Sequence, residues 1–254
     1  MPVDGVLDIT AVFGDRSVSR AEVLEWEGRR AAAVFKKLGM GAPPNGVVER
    51  REALVARKLE LGHAEIERRL RRQIAQATRS SRMMAALSRG GRRLCVVELR
   101  GSGASAEAVP AFYKAAMESG DEAPLLAASP DHWMLRRRDD GIQQVVETTG
   151  GSPLASCIYL DENEVGTIST PADPSFPVQW VAFGRTRLDG PPAGALRHQF
   201  RDEPGSAFTA RLTIEFPRVT PGRFVKGHQW HLACEFSNWI EAANGVQAAA
   251  GATA

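Results

Sequence analysis

The sequence predicts an α+β fold: a helical amino-terminal region, then an antiparallel curved sheet wrapped around one long C-terminal helix. Three observations carry that prediction. Between residues 47 and 87 the apolar positions Leu54, Val55, Leu59, Leu61, Ile66, Leu70, Ile74 and Ala77 recur as one stripe between charged faces, the signature of an amphipathic helix. From Asp131 onward, short strand-like stretches alternate with turn-forming clusters. The chain then returns to helical spacing from Arg223 to Ala243. Strands grouped together and followed by a helix define the α+β class.

Residues 1 to 16 read as irregular. Ser19 with Glu22 three residues on forms a capping box, and the helix it opens runs to Gly39, where a Gly- and Pro-rich stretch stops it. The second helix, about Val47 to Leu87, is long for a globular protein, so a break near Gly62 or packing against a partner is expected. An antiparallel helical hairpin that forms a homodimer is the economical interpretation of residues 1–90. Arg93 to Leu99 reads as a strand. The following Gly101-Ser102-Gly103-Ala104-Ser105 lacks the lysine and third glycine of phosphate-cradling loops and reads as a turn. Pro110 to Met117 is a short helix.

The sheet region supplies strands at His132 to Arg137, Ile142 to Thr148, Ala155 to Leu160, Val165 to Ser169, Val178 to Thr186, Ala195 to Arg201 and Ala207 to Phe216. Their separators, such as Arg138-Asp139-Asp140-Gly141 and Asp202-Glu203-Pro204-Gly205, carry turn chemistry. Wrapping this sheet around the terminal helix gives a helix-grip architecture with an interior cavity over residues 91–244. The Ala/Gly-rich tail, 245–254, is expected to be disordered.

Composition removes several function classes. No stretch is long and apolar enough for a membrane span, and the polar, acidic start has no signal pattern, so a cytoplasmic location is expected. Three widely spaced cysteines argue against a disulfide framework and a cysteine-based zinc site. The first hundred residues hold twenty Lys and Arg against twelve Asp and Glu, although the whole chain is only +2. Glu residues are interleaved with that basic excess, and Arg68-Arg69-Leu70-Arg71-Arg72 reads as a solvated helix face. No recognition-helix motif accompanies it, so nucleic acid is not an expected partner.

Candidate chemistry concentrates near the C-terminus. His231 and Glu235 are four residues apart and His228 three before His231, so all three share one helix face. An imidazole and a carboxylate there suit zinc; the alternative is an ion pair on a helix face. Glu147 alternates with Val145 toward the interior, where a carboxylate is costly unless paired or metal-bound. His132 opens the first strand of the sheet region, as a structural or acid–base residue. His198 is either a satisfied sheet histidine or the candidate for hydrogen bonding a phenolic or carbonyl oxygen or moving a proton. His63 reads as a polar-face residue.

The blocks Pro130-Asp131-His132, Val145 to Gly151, His198 to Gly205 and His231 to Trp239 resemble successive segments of the diacetylphloroglucinol/phloretin hydrolase family. The resemblance covers about residues 110 to 243. It implies a helix-grip, START-like catalytic domain behind a smaller helical dimerisation region, and a zinc ion used to hydrolyse the carbon–carbon bond between a phenolic ring and an acyl group. By position it makes Glu147, His231 and Glu235 metal ligands. The family's first ligand is a histidine in a Trp-rich upstream segment, and here residues 112–121 contain none. Glu118, His132 or His228 takes its place, or the metal is held by three ligands and water. The expected substrate is a small acylated phenolic or polyketide-derived ketone; the alternative is a metal-free helix-grip polyketide cyclase or small-molecule binder.

Overall fold

The computed structural model describes residues 7–150, 152–163 and 168–245. Nine antiparallel strands form one curved, open sheet in the order β2-β1-β3-β9-β8-β7-β6-β5-β4. Its amino-terminal edge is a hairpin, β1 (Ile9–Phe13) and β2 (Arg16–Ser19). Residues expected to be irregular are therefore strands. The alternating Ile9-Thr10-Ala11-Val12-Phe13 buries Ile9 and Ala11, and Gly14, at φ 66°, makes the two-residue turn that pairs Phe13 with Arg16. The boundary expected at residue 90 thus falls between strands hydrogen-bonded in one sheet, since β1 pairs with β3 (Arg92–Ser102).

Helix α1 (Arg20–Leu38) begins at the expected capping box, with Ser19 and Glu22 satisfying each other's backbone N–H groups, and ends at Gly39 in the left-handed conformation (φ 70°). Helix α2 (Val47–Ser88) is interrupted at Gly62, whose φ of 68° breaks the helical path where the sequence suggested. Helix α3 (Ala108–Ser119) extends the expected short helix by two residues at each end. A short helix α4 (Ala123–Ala127), not anticipated, leads into the sheet's far edge.

That edge is a meander: β4 (His132–Arg137), β5 (Gln143–Glu147), β6 (Ser156–Asp161), β7 (Val178–Arg185), β8 (Gly194–Glu203) and β9 (Ala207–Pro217), which returns to pair with β3. The strand expected at Val165 to Ser169 is not formed at 168–169, and residues 164–167 lie outside the described residues, as does the tail beyond Gly245. Helix α5 (Gly222–Ala243) follows.

Curvature places α5 within reach of strands from both ends of the sheet. Its Gln229 donates to the Val96 carbonyl of β3 (3.0 Å), while His231 and Glu235 reach β4 and β5. Every residue from His231 to Glu241 is buried, because α1, α3 and α4 pack against α5 as well. A helix enclosed all round must find partners for each polar side chain it carries. Two apolar cores result. One lies between the sheet's concave face and α5, including Leu99, Leu135, Val145, Leu212, Phe236 and Trp239. The other lies under α1 and α2 on the opposite face of β4–β6, with Phe35, Leu54, Leu70, Trp133, Met134 and Val146. Val145 and Val146 go to different cores, as strand alternation requires, and Glu147 follows Val145 inward. The three cysteines are buried and unpaired.

Candidate metal centre

Four of the sequence candidates converge beside a cavity of about 360 Å³ between the sheet and α5, which Glu147 and Glu235 line. His132 and Glu147 are cross-strand partners on β4 and β5; His231 and Glu235 approach from α5. His132 Nε2 lies 3.3 Å from Glu235 Oε1. His231 Nε2 lies 3.4 Å from Glu147 Oε2 and 3.7 Å from Glu235 Oε2. One donor atom each from His132, His231 and Glu235 falls within 4.8 Å of the others, and Glu147 joins through His231.

His132 reaches this cluster through a bulge. The pairing passes from His132↔Glu147 to Met134↔Val146, so Trp133 is an extra residue. A bulge re-aims the side chains beside it: His132 faces α5, while Trp133 enters the opposite core and donates Nε1–H to Thr148 Oγ1 (2.9 Å). His132 Nδ1 lies 2.8 Å from the Leu125 carbonyl of α4. A carbonyl only accepts, so Nδ1 carries the hydrogen and Nε2 presents a lone pair to the cluster, the usual arrangement for a ligating histidine.

The closest imidazole–carboxylate contacts of this cluster, at 3.3–3.7 Å, fall outside hydrogen-bond geometry. Among the described residues, His132 Nε2 and both nitrogens of His231 are buried with no hydrogen-bond partner. Donors held 2.0–2.1 Å from a tetrahedral zinc lie about 3.3 Å from one another, close to the separations found. Charge points the same way. Two buried carboxylates facing neutral imidazoles leave an uncompensated double negative charge, which is costly in a protein interior. In the metal-free chain a proton on His231 offsets part of it: desolvation opposes the imidazolium, but Glu147 and Glu235 raise its pKa to about 9. Burial likewise opposes the Glu147 carboxylate, yet His231 beside it lowers its pKa to about 2. The donor set fits a divalent cation of the zinc type.

The other candidates are placed differently. His228 stacks on His231, ring centroids 5.2 Å apart and 11° from parallel; like Glu147 it is not among the three groups within 4.8 Å, and unlike Glu147 it makes no ion-pair contact with His231. Burial, then His231, lowers its pKa to about 3, so it is neutral. Glu118 is half exposed beside Arg137 (3.5 Å), away from the cluster. His63 pairs with Glu122 (2.5 Å) on the outside of the sheet edge.

His198, on β8, lines the cavity. The Thr213 backbone N–H donates to its Nδ1 (3.2 Å), which leaves the hydrogen on Nε2. Burial, with His228 adding to it, lowers its pKa to about 3. His198 is thus a neutral hydrogen-bond donor rather than a proton carrier near pH 7. Trp180, Tyr113, Phe236 and Trp239 form an aromatic wall beside it, with Tyr113 4.4 Å from Trp180 and 5.1 Å from Trp239 by ring centroid. Tyr113 donates to Gln143 Oε1 (3.0 Å), and burial holds its hydroxyl well above its ordinary pKa.

Gly150 fits the loop after Glu147 onto α5. A Cβ there would lie 2.1 Å from the Gly227 carbonyl oxygen, so only glycine lets the loop approach the turn that carries His228. No protein-family model matches the chain, and no curated protein matches its sequence.

Proposed function

We propose that this chain is a metal-dependent hydrolase that cleaves a carbon–carbon bond in a small acylated phenolic or polyketide-derived ketone, with zinc held by His132, Glu147, His231 and Glu235. The curved sheet gripping α5 supports a helix-grip reading of the fold. The observation that carries the proposal is that His132 Nε2 and His231 Nε2, buried without hydrogen-bond partners, lie 3.3–3.7 Å from the carboxylates of Glu147 and Glu235. When bound, zinc supplies a Lewis acid that polarises a substrate oxygen and lowers the pKa of a water to about 7.

The chain's own residues supply binding and orientation. The aromatic wall of Tyr113, Trp180, Phe236 and Trp239 suits a planar ring, and such contacts favour stacked or edge-on approach. His198 offers Nε2–H to a ring oxygen, holding the acyl group toward the cluster. Water contributes its hydroxyl to the acyl carbon and its proton to the ring carbon, giving a carboxylic acid and a ring C–H. The largely apolar lining limits bulk water at the reacting carbon.

Elemental analysis of the purified chain tests the proposal: about one zinc per chain is expected, with loss of both metal and acylphenol hydrolysis in Glu235→Ala. Full activity in a metal-free Glu235→Ala protein overturns it. A second reading, a metal-free cyclase or apolar-ligand binder, is favoured by the aromatic wall and the neutral His198, which need no metal to hold a ring. Zinc-free wild-type protein that still binds or cyclises such ligands selects it.

A further inference from the structure

Lys58 is 1% exposed, in the amino-terminal part of α2 before the Gly62 break, and its Nζ donates to the backbone carbonyl of Pro130 (2.9 Å). Next along the chain, Asp131 is 0% exposed and receives two hydrogen bonds of 2.7 Å from the α1 residue Arg30. These two contacts grip one short segment. Ser129 to His132 is a turn closed by the His132 N–H on the Ser129 carbonyl (3.2 Å), and Ser129 Oγ also accepts from the Asp131 N–H (3.3 Å). The Asp131 carbonyl accepts from the Thr148 N–H (2.9 Å), which ties the turn to the residue after Glu147. Trp133 is held from the same side, with Lys37 Nζ 4.7 Å and Lys58 Nζ 5.6 Å from its ring centroid.

A lysine and a carboxylate taken out of water are each costly to keep charged, and burial lowers the Lys58 pKa to about 7 against the opposing pull of Asp131. Neither Lys58 nor Arg30 lines the cavity. Both charges are spent on the one turn that delivers His132, at the bulge where its direction is decided.

We propose that Lys58 and Arg30 are positioning residues that set the geometry of His132 in the metal cluster, so that the amino-terminal helices form part of the metal site's support. The inference rests on the metal reading of the site. It gives α1 and α2 a role beyond covering the sheet: Lys58 fixes the backbone of the turn, Arg30 fixes its carboxylate, and Leu125 fixes the ring's second nitrogen. Outer partners of this kind commonly change metal affinity by about 10–100-fold when removed.

The test compares wild type, Lys58→Met, Arg30→Met and, as a control, Arg20→Met, which loosens a buried ion pair that touches neither the turn nor the cluster directly. Each is titrated with zinc and with cobalt, folding is followed by circular dichroism, and the visible absorption of the cobalt form reports coordination. Lys58→Met and Arg30→Met are expected to weaken zinc binding about 10–100-fold and alter the cobalt spectrum, while folded Arg20→Met keeps the wild-type values. Wild-type affinity and an unchanged spectrum in the folded variants overturn the inference while the metal site stands. If Lys58→Met does not fold, Arg30→Met, whose side chain is 32% exposed, decides by the same readouts. A wild-type chain that binds neither metal overturns the site reading and this inference together.

Discussion

Two buried charged clusters share helix α5 and are built in opposite ways. Toward its C-terminal end, Asn238 and Glu241 face Arg20, Glu27 and Arg51. Arg20 donates to both oxygens of Glu241 (3.0 and 2.6 Å), and Arg51 donates to both oxygens of Glu27 (2.7 and 2.8 Å). Asn238 accepts from both arginines and donates to the Ala128 carbonyl. Two positive and two negative charges cancel, and Arg20 Nη1 is the one atom of these five side chains that is buried without a partner. One to two turns earlier, His231 and Glu235 face His132 and Glu147 at longer separations, 3.3–3.7 Å. There His132 Nε2 and both nitrogens of His231 go unbonded, and the carboxylates outnumber the fixed positive charges. A closed, neutral network holds helices together. An open one with surplus negative charge asks for a cation.

Mutations break that comparison in order of expected effect. His231→Ala or Glu235→Ala removes a proposed ligand. Zinc content falls to background, and acylphenol hydrolysis drops by about 10³-fold, on the scale of losing a preorganised electrostatic group. Folding, measured by denaturant titration, is largely retained. Glu241→Ala or Glu27→Ala has the opposite profile: stability falls by about 3–5 kcal/mol because an arginine is left buried and unpaired, while the zinc affinity of the folded fraction is unchanged. Loss of zinc affinity in those variants would merge the two clusters into one functional unit.

Smaller effects sharpen the picture. Gly150→Ala forces the loop after Glu147 away from the Gly227 carbonyl, and a stability loss of about 1–3 kcal/mol follows from overpacking; thermal unfolding measures it. His198 makes stability depend on acid. Its imidazole takes a proton near pH 6.5 when unfolded but only at about 3 when folded. The unfolded chain therefore binds more protons in that window, and stability falls as pH drops from about 6.5 toward 3, by about 1.4 kcal/mol per pH unit at most. His198→Phe flattens this part of the pH–stability curve. The same substitution weakens a phenolic ligand by about tenfold, the scale of one hydrogen bond, as calorimetry would show.

Local patterns carried much of this into the sequence. The i, i+4 spacing of His231 and Glu235, the Val145/Glu147 alternation, the Ser19–Glu22 capping box and the Gly62 break depend only on neighbours along the chain, and each has its expected geometry. The β1–β2 hairpin was missed, although Ile9 to Phe13 alternates before Gly14-Asp15. What sequence could not reveal depends on long-range register. The bulge at Trp133 has no local signature, so nothing in Pro130-Asp131-His132 announced that His132 would turn toward α5. Lys58 and Arg51 sit in a helix with many exposed basic residues, and only the packing of α2 on its neighbours separates the buried cations from the solvated ones. The helix stripe identified the apolar core of α2 but was silent about charges enclosed at its margin.

The most direct test of the shared pocket is zinc binding to dialysed protein with His132 as the variable, because His132 was linked to Glu147, His231 and Glu235 by folding rather than by sequence spacing. One zinc per chain in wild type, with His132→Ala losing metal as completely as His231→Ala, is the predicted result. A His132→Ala protein that retains zinc at wild-type affinity, or a wild type that takes up none, contradicts the account.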